Sequence, residues 1–124
     1  MLLEAPYEYN ASLVRVIDGD TLVLKIDLGF KVEIEQTVRL YGIDAPEVIG
    51  ETREAGLAAK NAVVSMLTHE SAKAEKLLIR THKSAKKDKY GRYVAEITFV
   101  NTDGNTLSLN EQLITRGFAV PYIV

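Results

Sequence analysis

The 124 residues carry 15 Lys and Arg against 17 Asp and Glu, a formal charge of −2, and contain no cysteine. That length holds one hydrophobic core rather than two; the absent thiols exclude disulfides and thiolate metal centres, and the charge balance excludes a globally basic nucleic-acid surface. No stretch approaches the ~20 apolar residues of a membrane span, and Leu2-Leu3 run at once into Glu4 and Pro6, so no signal-peptide core is visible and the chain as written reads as cytoplasmic, secreted only if a leader has been trimmed.

In chain order, Met1 to Asn10 reads as an irregular lead-in and Ala11 to Ile17 as a first strand. Leu22, Leu24, Ile26 and Leu28 then alternate with Thr21, Val23, Lys25 and Asp27, and after Gly29-Phe30 the series Val32, Ile34, Gln36, Val38, Leu40 resumes the period of two. Such alternation predicts a long hairpin. A tight turn centred on Gly29-Phe30 sets Asp20 opposite Arg39, with β-carbons ~5 Å apart; a bulge shifts that pairing by one. Asp44 lies ~16 Å beyond Arg39 along a straight strand, so it joins Asp20 only if the chain bends. Gly42 and Pro46 are where a bend is allowed.

The period changes after Glu51. Ala55, Ala58, Ala59, Ala62, Val63, Met66 and Leu67 follow helical spacing, which predicts a helix over Thr52 to Leu67, about 25 Å long. Strands are expected over Leu77 to His82 and Arg92 to Val100, with a turn at Asn101 to Asn105. Ser108 and Glu111 form a capping-box pattern for a helix from Leu109 to Arg116, stopped by Gly117. Five strands with a helix after the third describe an α+β fold built on an OB-type barrel, which removes exposed edges by closing. No internal repeat or linker interrupts the chain, so residues 1–124 read as a single domain.

Each chemical motif has a plainer reading when taken alone. Asp18-Gly19-Asp20 is most simply a turn, as Asp103-Gly104 is, and Arg39 could be half of a cross-strand ion pair with Asp20. The strip Lys83, Lys86, Lys87, Lys89 and Arg92 is more often a solvated loop than a groove for nucleic acid, and His69 and His82 lack metal-ligand spacing. The joint occurrence of Asp20, Asp44 and Glu47 with Arg39 and Arg92 asks for more. Clustered carboxylates repel by about 4 kcal/mol per close pair at an effective dielectric near 20, and a divalent cation removes that cost. Without thiolates the cation is hard: calcium accepts carboxylates, carbonyls and waters in flexible geometry, where magnesium demands a stricter octahedron. Two carboxylates and a carbonyl leave positions for water and a phosphate oxygen, and Arg39 beside them suits the same phosphate.

Ile17-Asp18-Gly19-Asp20-Thr21, then Val38-Arg39-Leu40 with Asp44-Ala45-Pro46-Glu47, then Asp88-Lys89-Tyr90-Gly91-Arg92 resemble, in order, the three signature segments of the staphylococcal nuclease (thermonuclease) family. The likeness runs from Ala11 to about Tyr122. It implies that Asp20 and Asp44 are calcium carboxylates, that Ala45 contributes its carbonyl, and that Glu47 orients or deprotonates the attacking water. Arg39 and Arg92 are implied to bind the scissile phosphate, Lys89 and Tyr90 the terminal phosphate and nucleotide, and Tyr122 to stack on the nucleotide; Asp18 and Thr21 look like support behind the ligands. Departures are Ala45 where the family often has threonine, and a short segment with Arg53 in place of a lysine-rich loop. The family also usually adds a third helix beyond the point where this sequence stops, at Val124.

The resemblance implies a calcium-dependent endonuclease that hydrolyses DNA and RNA without sugar specificity, cutting the 5′-O–P bond to leave 3′-phosphate ends; the chain is expected to be a monomer. The alternatives are a non-catalytic nucleic-acid-binding module, like the nuclease-like domains of Tudor-containing RNA-binding proteins, or a small OB-type adaptor for protein partners. The full set of acids and arginines favours the enzyme.

Overall fold

The computed structural model describes residues 7–71, 76–81 and 92–122. His82, Lys83, Lys86, Lys87, Asp88, Lys89, Tyr90 and Gly91 lie outside the described residues.

The first strand, β1 (Tyr7–Asp18), starts four residues earlier than expected. Tyr7 to Ser12 pair with β5 (Lys76–Thr81), so the end of the expected lead-in is held by a ladder whose partner lies far along the chain. β2 (Thr21–Gly29) and β3 (Val32–Leu40) form the expected hairpin. Its loop is Phe30-Lys31, with φ of 53° and 64°, rather than Gly29-Phe30, and the ladder shifts between Asp27 and Gly29. The one-residue offset places Thr21, not Asp20, opposite Arg39.

In β5 (Lys76–Thr81), in β6 (Tyr93–Val100) and at the end of β3 the period of two is the period of burial, whereas β2 is buried throughout Thr21–Leu24. Leu22, Leu24, Ile26, Val38 and Leu40 face inward, as do Leu77 and Ile79 of β5 and Ala95, Ile97 and Phe99 of β6 (Tyr93–Val100). The sheet runs β3-β2-β1-β5-β6 and closes through a parallel pairing of β3 with β6, Val38↔Tyr93 to Leu40↔Ala95. Among the described residues the result is the expected five-stranded barrel, with two helices.

A 3-10 turn, Gly50–Thr52, leads into α1 (Arg53–Thr68), which lays Ala59, Val63, Met66 and Leu67 on the barrel. β7 (Thr106–Ser108) pairs beside the end of β6 and runs directly into α2 (Leu109–Thr115). The Ser108 hydroxyl accepts from the Glu111 N–H at 3.2 Å, satisfying one of the orphan donors at the helix start. At the other end Gly117 adopts φ +82°, Gly117 N–H donates to Ile114 and Phe118 N–H donates to Leu113. This Schellman geometry reverses the chain and delivers it to β8 (Val120–Pro121), paired with β4 (Ile43–Asp44). The three short strands β4, β7 and β8 escape a reading based on alternation, because two or three residues carry no period. Among the described residues no helix is long and apolar enough to cross a membrane.

Candidate active site

Three segments distant in sequence converge where β3 leaves the barrel. The first is the Asp18-Gly19-Asp20 turn. Bulges in β1 between Leu13 and Arg15 and between Val16 and Asp18 twist the strand end, and Asp18 stands opposite Thr21 in the ladder. Asp20 is buried, at 7% exposure, which for a carboxylate demands partners. It has them: Oδ1 accepts from the Thr21 hydroxyl at 3.0 Å and Oδ2 from the Ala45 N–H at 2.9 Å. The Asp20 carbonyl also accepts from the Leu40 N–H at 2.8 Å.

The second segment is the bend after β3. Gly42 takes φ +78°, open only to glycine at little cost, and the chain folds back so that Asp44 returns to the turn. Arg39 Nη2 lies 3.2 Å from Asp44 Oδ1 and 3.7 Å from Asp20 Oδ2. One largely buried guanidinium thus stands between two carboxylates that a straight strand would hold far apart. Two contacts pin the bend. The buried Asn110 of α2 donates through Nδ2 to the carbonyls of Tyr41 and Ala95, at 2.8 and 3.3 Å, and accepts from Ile97 N–H at 3.2 Å. From the C-terminal side, Tyr122 N–H donates to the Gly42 carbonyl at 2.8 Å, and the Tyr122 ring sits under the Arg39 guanidinium, 5.1 Å from its centre.

The third segment is Arg92, which immediately precedes β6. Closure of the barrel pairs Arg39 with Val94, and this seam brings Arg92 to the cluster. Its Nη1 donates to the Thr21 hydroxyl at 3.2 Å. Thr21, buried at 2% exposure, therefore passes a hydrogen-bonded link from Arg92 to Asp20.

The sequence-predicted residues Asp20, Thr21, Arg39, Asp44, Ala45, Arg92 and Tyr122 come together. Ala45 enters the cluster through its N–H, which donates to Asp20. Glu47 is exposed, on the loop that follows, and is held by its backbone: its carbonyl accepts from the Thr52 hydroxyl at 2.8 Å. Asn110 escaped sequence reasoning. The available signal was a polar residue beside Leu109 on the face of α2 that buries Leu109 and Leu113.

Among the described residues no three His, Asp or Glu side chains gather into a metal-binding group. What the cluster offers a cation is two carboxylates, Asp20 and Asp44, already sharing one positive group, Arg39. An all-oxygen, incomplete set of this kind fits a hard ion that takes its remaining ligands from carbonyls, water or substrate.

A family model described as staphylococcal nuclease homologue matches residues 37–124. The chain is also 31% identical, over 134 aligned positions, to an uncharacterized protein of Methanocaldococcus jannaschii; the alignment covers 93% of this chain. The chain spans 60% of that relative's length.

Proposed function

The chain belongs to the staphylococcal nuclease homologue family, and from that premise we propose that it is a calcium-dependent nuclease hydrolysing phosphodiester bonds of DNA and RNA, at the 5′-oxygen, to leave 3′-phosphate ends. The observation that carries the reading is the single network joining Asp20, Thr21, Arg39, Asp44 and Arg92 across three sequence segments. Folding alone gains little from placing two arginines and two acids at one barrel seam, whereas phosphoryl chemistry needs both signs of charge at one point.

In this reading Asp20 and Asp44, with the Ala45 carbonyl, hold calcium, which when bound supplies Lewis-acid stabilisation of charge on the phosphate. Arg39 and Arg92 bind and neutralise the phosphate oxygens through their N–H forks. Asp18 and Thr21 support them, Thr21 by fixing Asp20 on one side and Arg92 on the other. Glu47, exposed and tethered by its backbone, orients a water for in-line attack and accepts its proton. Lys89 and Tyr90 are assigned to the adjoining phosphate and nucleotide, and Tyr122 to the base. The protein works as a monomer.

Incubation of single-stranded DNA with protein, first in calcium and then in excess chelator, tests the assignment. Chelator-sensitive cleavage is the expected outcome, while binding without cleavage would make the chain a binding module. Arg92→Ala should fold and lose about 10³-fold or more in turnover, with a smaller change in affinity for DNA. Near-normal turnover would sink the assignment.

A further inference from the structure

Two Asp-Gly pairs in this chain contain glycine for different reasons. In Asp103-Gly104 the glycine has φ +86° and open space around it, so conformation demands it. Gly19, in the turn at the site, is not among the residues of positive φ. A β-carbon there would stand 2.7 Å from the Ala59 β-carbon and 3.0 Å from that of Ala45. Gly19 is required for space. The junction it fills is where the Asp20 turn, the Ala45 segment and α1 meet, next to the hydrogen bond from Ala45 N–H to Asp20.

Gly56 repeats the pattern one helical turn before Ala59, on the same face of α1. A β-carbon at Gly56 would collide with the Glu47 carbonyl and stand 2.8 Å from the Val48 nitrogen. Thr52, just ahead of the helix, grips the same carbonyl through its hydroxyl. The backbone of Glu47 is thus held between a hydrogen bond and a surface with no room for a methyl group.

We propose that the N-terminal half of α1 is the positioning element of the site, setting Glu47 through Gly56 and setting Asp20 and Ala45 through Ala59 against Gly19. This rests on the nuclease reading, in which Asp20 and Ala45 serve the cation and Glu47 the water. It adds that the two functions are indexed separately, by two positions on one rigid face. Interiors close-packed to this degree transmit a methyl-sized change as displacement rather than absorb it.

The test uses the full chain, with helix content followed by far-UV circular dichroism, calcium affinity by calorimetry, and steady-state cleavage of single-stranded DNA. Gly56→Ala should lower kcat by about 100-fold, the scale of an ångström misplacement, with calcium affinity and KM within about threefold of wild type. Should Gly56→Ala fail to fold, Thr52→Val releases the same carbonyl without adding bulk, and should again lower kcat selectively. Gly19→Ala should weaken calcium binding by about tenfold. Ala59→Gly, combined with it, removes the nearest clashing methyl and should recover most of that loss. The positioning role is overturned if folded Gly56→Ala or Thr52→Val keeps wild-type kcat, if kcat and calcium affinity fall together in them, or if Ala59→Gly restores nothing. A wild-type chain that neither binds calcium nor cleaves overturns the nuclease reading itself, and this inference with it.

Discussion

Thr21 shows how much one buried hydroxyl can organise. It donates to Asp20, accepts from Arg92, and faces Arg39 across the β2–β3 ladder. Its valine replacement keeps the shape and the strand preference but leaves Asp20 Oδ1 without that donor and Arg92 without that acceptor. Removing one hydrogen bond from the buried Asp20 carboxylate, which keeps the Ala45 N–H, costs about 1–3 kcal/mol. Thr21→Val should therefore lower the urea midpoint by a corresponding amount, and reduce kcat more than it weakens DNA binding, because it loosens at once the two side chains, Asp20 and Arg92, that we propose hold the cation and the phosphate. A midpoint and kcat both equal to wild type would remove Thr21 from the network. Thr21 rather than Asp20 opposes Arg39 in the hairpin because the loop sits one residue later than its spacing predicts. Asp20 still reaches Arg39, since its side chain spans the offset.

At the scale of elements, the ends of the two helices are tied by an ion pair. Arg116, at the C-cap of α2, makes a two-pronged contact with Glu70, just past α1, at 2.9 and 3.1 Å. The Arg116 hydrogen bond and charge, helped by a bond from Ser65, hold the Glu70 carboxyl below its ordinary pKa against the opposing effect of burial. Glu70 reciprocally raises Arg116. A carboxylate with a depressed folded pKa stabilises the fold above its unfolded pKa, and the contribution is lost as pH falls through the folded value. The arginine's contribution is lost only far above neutrality. Both side chains are roughly a third exposed, so solvent screening limits the pair to about 1 kcal/mol or less. Arg116→Ala should lower thermal stability slightly at pH 7, and the gap between variant and wild type should close on acidification below the usual carboxylate range. A gap independent of pH would assign the loss to packing instead.

At the scale of the molecule, one apolar cluster spans barrel and both helices. Phe99, on β6, is among its largest fully buried side chains, and its strand carries the closing seam with β3. Phe99→Ala should cost about 3–5 kcal/mol. With a single core the loss should appear as one cooperative transition, coincident by circular dichroism and tyrosine fluorescence. Two separated transitions would mean that the helices and the barrel do not share a core. The seam also explains why the site is where it is. Closing the barrel aligns β6 with β3 in parallel, and Arg92 arrives at the Thr21 hydroxyl because that alignment begins at Val38↔Tyr93.

The sequence by itself determined the β2–β3 hairpin and α1 from spacing, because inward residues must recur every two or every three to four positions, and α2 from its capping box and the glycine that stops it. It also named the side chains that cluster, through the joint presence of Asp20, Asp44, Arg39 and Arg92. Three things were decided only by tertiary structure. The bend that returns Asp44 at Gly42 depends on Asn110 holding the Tyr41 carbonyl and the Tyr122 backbone holding that of Gly42. The early start of β1 depends on β5, and the requirement for glycine at 19 and 56 depends on how closely α1 approaches the two loops. Each is a contact between residues tens of positions apart or across two packed surfaces, and local periodicity carries no record of what lies opposite.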